Sequence, residues 1–204
     1  MASSTGRQLR ATATRHKIRD AARELFLAQG YVGTTIPDIA RAAGLAHPTV
    51  YFTYGSKAGV LSAVVDAEIV GDLDAVPLLQ RPQVRRIATV ADPAQRLRRV
   101  VAVLCDVTER VAPLYEIARG GAIDGDVRAL LDRHEEQRWE THRALVGLVG
   151  QDLTPGLDLT EAADRLYALV SHDLYWLLTR RRGWSGARWR RYAQREAARQ
   201  LLDG

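Results

Sequence analysis

The side chains that could do chemistry crowd into one stretch. His47, Thr49, Tyr51, Phe52 and Thr53 fall on the face of one short helical segment. They mix hydrogen-bonding and aromatic groups without a carboxylate among them. Just before them, Ile36, Ile39 and Ala40 have helical spacing, and Gly44 breaks that pattern. Two short helices joined by a tight glycine-containing turn are the layout of a helix-turn-helix, whose second helix enters the DNA major groove. The chemistry predicted is therefore recognition of duplex DNA rather than catalysis.

The charge distribution points the same way. The net charge is +5, and residues 1–61 carry all of it: eight basic side chains (Arg7, Arg10, Arg15, Lys17, Arg19, Arg23, Arg41, Lys57) against Asp20, Glu24 and Asp38. The remaining residues balance to zero. A basic segment joined to a neutral one is the electrostatic footprint of a polyanion binder. G-x-S-x-G, P-loop, G-x-G-x-x-G and H-E-x-x-H patterns are all missing, so the remote alternative, an all-α enzyme using His172 and Asp173, has no motif behind it.

The elements that must hold this segment are helical. Residues 1–13, rich in Ser, Thr, Ala and Arg, read as a disordered basic arm. Ile18, Ala21, Ala22, Leu25 and Phe26 form a helical stripe that begins near Thr14 and ends at Gly30. Thr34 or Thr35 caps the next helix, with Asp38 completing a weak capping box. Ser56 caps a connector over residues 57–70. Residues 71–92, interrupted by Pro77 and Pro82, read as a loop with at most one short helix. From Asp92-Pro93 the pattern is helical almost to the end. Pro113 and Gly120-Gly121 break it, and new helices open at Asp124, Thr160 and Ser185; the one from Thr160 runs on to Gly183. The predicted fold class is all-α. Residues 14–61 form the helix-turn-helix domain, and residues 62–204 a second helical domain.

Residues 14–61 resemble the N-terminal domain of TetR-family transcriptional regulators. The matching pieces are Ala21-Ala22, Leu25-Phe26, Gly30-Tyr31, Thr34-Thr35, Ile39-Ala40, Ala43-Gly44, Thr49, Tyr51, Ser56-Lys57 and Leu61, in register without insertions. The resemblance implies that His47, Thr49 and Phe52 face base edges, with Pro48 starting the recognition helix. His47 would donate to a purine N7 or O6, and Phe52 would pack on a thymine methyl. Tyr51, Lys57 and Thr35 would hold phosphates, which position the protein without reading sequence. Tyr54 would either face phosphate or pack beneath the helix. Ala46 stands where a capping serine is usual. Thr53 and Tyr54 replace a common His-Phe pair, and Ala58 and Gly59 replace an acidic or helix-favouring pair.

The same resemblance implies a homodimer that pairs through residues 160–202 and binds a palindromic double-stranded DNA operator. In that segment Tyr167, Trp176, Trp184, Trp189 and Tyr192 serve either the interface or the monomer core. It also implies a small-molecule effector held in the second domain. Polar groups interrupting apolar stripes are the candidates there: Thr108, Tyr115, His134, Arg138, His142 and His172, with Trp139 and Trp176 as walls. The expected role is a repressor released by its effector; an activator, or a regulator needing a co-repressor, shares the same domain. No cofactor is expected. No metal site is expected either, because His134 and His142 are eight residues apart and lack a cluster to complete a ligand set. Cys105 reads as a small core residue. With no apolar run long enough to span a bilayer and a polar N-terminus, a cytoplasmic location is expected.

Overall fold

The computed structural model describes residues 2–71 and 76–202, with side chains from residue 6 onward. Among these residues every regular element is helical. The chain divides into two compact units. The first comprises residues 1–67 and 113–131; the second comprises residues 68–112 and 132–204.

In the first unit, α1 (Ala2–Gly33) lays Ile18, Ala22 and Phe26 into the core, each fully buried. Gly30 adopts φ +73° inside it, a conformation that L side chains avoid, so the regular helix stops where the sequence predicts. The buried Thr34 hydroxyl donates to the Gly30 carbonyl at 2.8 Å and so covers the end of the helix. Helix α2 (Ile36–Ala42) starts at Thr35, whose hydroxyl accepts from Asp38 N. Gly44, at φ +66°, makes the turn into α3 (His47–Tyr54). Ala46 offers α3 no side-chain cap, and only Val50 of this helix is buried. Gly55 ends it at φ +74°. Ser56 Oγ then accepts from Gly59 N at 3.1 Å at the start of α4 (Lys57–Val70). The glycine at position 59 has a steric reason. A Cβ there would lie 2.2 Å from the Tyr54 carbonyl oxygen, so only glycine lets α4 start this close to the end of α3. Ile39, Ala40, Val50, Val60, Leu61 and Val64 complete the packing.

After the short 3-10 turn Leu78–Gln80 come α5 (Pro82–Arg85) and a second 3-10 turn, Arg86–Thr89. This stretch therefore holds three short helical turns, more than the single one expected; Val84 and Ile87 are buried and pin them. Asp92 Oδ1 accepts from Ala94 N at the start of α6 (Pro93–Gly120). Asp124 does the same for Asp126 N at the start of α7 (Gly125–Val146). In the second unit Leu97, Val100, Val101, Leu104 and Cys105 of α6 form one core with residues of α8 (Leu159–Leu169) and α10 (Gly186–Leu201). Arg190 of α10 closes this core at its polar edge. Its guanidinium donates twice to the Glu109 carboxylate, at 2.9 and 2.6 Å, and also pairs with Asp106. Burial pushes the Cys105 thiol up to about 12, as suits a packed rather than a reactive sulfur.

Several expectations are corrected here. The backbone of residues 2–13 is helical, not a disordered arm. Arg, Ala, Gln and Leu are good helix formers, and extending an anchored helix costs only propagation. Pro113 lies inside α6 rather than ending it. Val111, Ala112 and Leu114 around it are all buried, and that packing outweighs the lost hydrogen bond. Asp158, not Thr160, caps α8, accepting from Thr160 N and Glu161 N. The single helix expected up to Gly183 is broken at Val170. Ser171 then caps α9 (His172–Trp176), which passes into a π turn over Leu177–Arg181. Gly183 ends it at φ +67°.

Candidate nucleic-acid interface

Helix α3 divides its side chains sharply. Val50 faces inward, while His47, Pro48, Tyr51 and Phe52 are exposed. Phe52 is 88% exposed and Tyr51 58%. This leaves aromatic surface in water on a basic unit. His47, Tyr51 and Phe52 therefore form the outward face that the sequence predicts. Thr49 and Thr53 are half-buried at its edge, and the Thr53 hydroxyl donates back to the Thr49 carbonyl at 2.6 Å. That bond follows the helix and occupies the only proton of Thr53.

Lys57 and Thr35, expected at phosphates, and Tyr54, open to either role, make contacts within the unit. Lys57 turns inward: Nζ donates to the Tyr31 carbonyl at 2.8 Å and the Thr34 carbonyl at 2.9 Å, and sits 4.1 Å above the Tyr31 ring. Burial lowers its pKa, and the Asp124 carboxylate acts the other way. Lys57 thus holds the chain leaving α1 against the start of α4. The Thr35 hydroxyl donates to Asp38 Oδ2 at 2.5 Å, and Asp38 in turn accepts from Arg41 at 2.5 Å. The proton meant for a phosphate is spent on the cap. The Asp38 carboxyl is held below its usual range, chiefly by the Thr35 hydrogen bond. Tyr54 packs beneath the helix, its hydroxyl donating to the Arg15 carbonyl of α1 at 3.2 Å. Desolvation raises its phenol, against the charges of Arg19 and Arg15. Of the two roles open for Tyr54, packing is the one seen.

Tyr31 is the hub of this unit. Its ring lies 6.1 Å from Phe26, and its hydroxyl donates to Asp124 Oδ2 at 2.8 Å. Burial, then that bond, pushes the phenol far above its ordinary value. Gly121 is tight against the ring, where a Cβ would approach Tyr31 Cδ1 to 2.5 Å.

The second unit gathers part of the predicted effector set. Arg138 stacks 3.5 Å over the Tyr167 ring and donates to Glu135 Oε2 at 3.0 Å. The Tyr167 hydroxyl donates to the same carboxylate. His142 is only 2% exposed and packs edge-on against Tyr167, at 5.4 Å between centroids. Its Nδ1 donates to the Arg138 carbonyl at 2.7 Å, which leaves Nε2 unprotonated, buried and unpartnered among the described residues. His172, also buried, senses the charges of Arg138 and Glu135. Desolvation lowers both histidines to about 4, so both are neutral near pH 7. Glu135 and Tyr167 were not among the predicted ligands; the Glu135-x-x-Arg138 spacing was the available signal.

Other predicted members make contacts of their own. The Thr108 hydroxyl, buried, donates to the Val170 carbonyl at 3.0 Å, which the break after α8 leaves without a helical partner. Trp139 Nε1 donates to Asp164 Oδ1 at 2.7 Å, and Arg181 lies 4.8 Å over Trp176. His134 is half-buried on α7, and Tyr115 belongs to the first unit and so not to this cluster. Of the aromatic residues weighed between interface and core, Trp189 is fully buried in the monomer. Trp176, Trp184, Tyr167 and Tyr192 remain half-exposed. Among the described residues no three His, Cys, Asp or Glu side chains group to hold a metal ion, and no helix is long and apolar enough to cross a membrane.

The described residues form a two-unit helical protein whose first unit holds a helix-turn-helix with an outward second helix. Residues 18–64 match the family of bacterial regulatory proteins described as the tetR family. Over 52 residues it is 46% identical to the HTH-type transcriptional regulator SrpR of Pseudomonas putida, a stretch covering 26% of this chain and 24% of SrpR. The chain matches only 24% to 39% of the length of its curated relatives. Solved structures match almost throughout. The SmeT–triclosan complex shares 21% identity with a TM-score of 0.72, covering 93% of this chain and 92% of that one. NalD, the secondary repressor of the MexAB-OprM multidrug efflux pump in Pseudomonas aeruginosa, shares 21% identity with a TM-score of 0.62, covering 93% and 95%. At such identities these likenesses establish the fold.

Proposed function

We propose that this chain is a homodimeric repressor that binds a palindromic operator through α3 and releases it when a small molecule binds the second unit. The carrying observation is the outward face of α3, where Phe52, Tyr51 and His47 are exposed on a unit with a surplus of positive charge. The base-reading set is His47 and Phe52, with Thr49 at its edge and Tyr51 on phosphate. A twofold dimer would set two such helices about 34 Å apart, one turn of the duplex. Pairing through residues 160–202 uses the half-exposed Trp176, Trp184 and Tyr192 rather than the buried Trp189. The effector site centres on Arg138, Tyr167 and His142, whose buried Nε2 is an acceptor in want of a donor. NalD's description as a repressor and SmeT's capture with triclosan favour this sign and this kind of ligand. An effector acts by binding better to the state with low DNA affinity, and by no more than that difference.

The test is fluorescence anisotropy with the duplex immediately upstream of the coding sequence and with a scrambled duplex. Tight binding to the first only, with discrimination reduced by roughly 1–3 kcal/mol in Phe52→Ala, is expected. Equal affinity of the wild type and of Phe52→Ala for both duplexes would reject base reading by α3.

A further inference from the structure

The first turns of α1 extend past the core of their own unit. On a helix, positions 7, 11, 14, 18 and 22 share one face. Ile18 and Ala22 are fully buried there and Thr14 is half-buried, but Ala11 and Arg7 are exposed. The packed stripe therefore runs out at Thr14, and residues 6–13 project about 12 Å beyond it at 1.5 Å per residue. This overhang is not apolar and does not resemble a protein-docking face. Arg7 and Arg10 are exposed, Arg15 and Lys17 follow, and the first carboxylate in the sequence is Asp20.

Its position is fixed from the other side. Tyr54, the last residue of α3, donates its hydroxyl to the Arg15 carbonyl, and the charges of Arg15 and Arg19 act on that same phenol. Helix α1 is thus tied at Arg15, just after the overhang, to the end of the helix that presents Tyr51 and Phe52. A helical segment that carries Arg7 and Arg10 and no carboxylate, beside a groove-reading helix, is complementary to the phosphates flanking the base pairs being read. We propose that residues 6–13 of α1 form a second DNA contact, in which Arg7 and Arg10 hold phosphates beyond the base pairs met by α3. The proposal rests on the DNA-binding reading. Because it concerns the backbone alone, it predicts affinity without sequence preference.

The experiment uses the full chain and a random-sequence duplex. Anisotropy titrations over a range of salt compare wild type, Arg7→Gln/Arg10→Gln and Arg7→Lys/Arg10→Lys, with circular dichroism to confirm equal helicity. Each phosphate neutralised contributes about 0.9 to the log–log salt slope. The glutamine pair is expected to flatten the slope by about 1.8 per bound chain, the lysine pair to keep the wild-type slope, and Phe52→Ala to leave it unchanged. A glutamine pair with the wild-type slope would overturn the second contact while leaving α3 as the reader. A wild type that binds no duplex would instead overturn the DNA-binding reading, and this proposal with it.

Discussion

Lys57 separates architecture from recognition, and Lys57→Met isolates its part. The substitution keeps the length of the side chain but removes two hydrogen bonds from Nζ, at 2.8 and 2.9 Å, and the ring contact at 4.1 Å. Hydrogen bonds to a charged donor contribute about 1.5–3 kcal/mol each, and a cation over a ring about 0.5–2 kcal/mol. Against this stands the cost of holding an ammonium partly out of water, the effect that lowers its pKa. The Tyr31 carbonyl also keeps a second partner, Thr34 N at 3.3 Å. The net loss is therefore about 2 kcal/mol, roughly a thirtyfold fall in the opening equilibrium at 1.4 kcal/mol per decade. Amide hydrogen exchange read by mass spectrometry measures this locally. Protection should fall by that factor in α1 to α4 and stay unchanged in α8 and α10. DNA binding should persist with its salt slope at the wild-type value, since no phosphate contact is removed. Unchanged protection together with a slope shallower by about 0.9 would refute the reasoning and return Lys57 to the phosphate backbone.

Two further outcomes follow from the second unit. His142 and His172 titrate at about 4 when folded, below the ordinary histidine value of 6.5. The unfolded chain thus binds more protons between those values, so stability is complete above pH 6.5 and falls as pH drops towards 4, by about 1.4 kcal/mol per pH step for each histidine. Urea denaturation followed by tryptophan fluorescence across this range should show the slope, and His142→Gln should reduce it by about half; a flat profile would show the rings charged when folded. Thr108→Val leaves the Val170 carbonyl buried without its donor, which costs about 1–3 kcal/mol. Thermal denaturation read by the same fluorescence should record that loss, and no change would mean water reaches the break.

Legibility in the sequence followed the range of the interactions. The Ile18, Ala22 and Phe26 stripe, the turns at Gly30 and Gly44 and the caps at Thr35, Ser56 and Ser185 depend on neighbours a few residues away, and all appear as expected. The exposure of Tyr51 and Phe52 follows from the same periodicity. The inward contacts of Lys57 were not legible because its acceptors are backbone carbonyls 26 and 23 residues earlier, and backbone groups leave no mark in a sequence. The break at Val170 was hidden because the apolar stripe continues across it. The grouping of Arg138, Glu135, His142 and Tyr167 joins α7 to α8, a pairing that periodicity within either helix does not encode.

The chain has four tryptophans, Trp139, Trp176, Trp184 and Trp189, and all of them fall in the second unit. The first unit holds no tryptophan, and its longest-wavelength chromophores are tyrosines such as Tyr31, Tyr51 and Tyr54. The molecule thus carries two separate optical channels. Excitation at the red edge of the spectrum sees only the unit proposed to hold the effector, and Trp139, whose indole nitrogen is bonded to Asp164, stands three residues from His142. Quenching titrations on the unlabelled protein can therefore screen small molecules in the absence of DNA, while the DNA-reading helix stays dark.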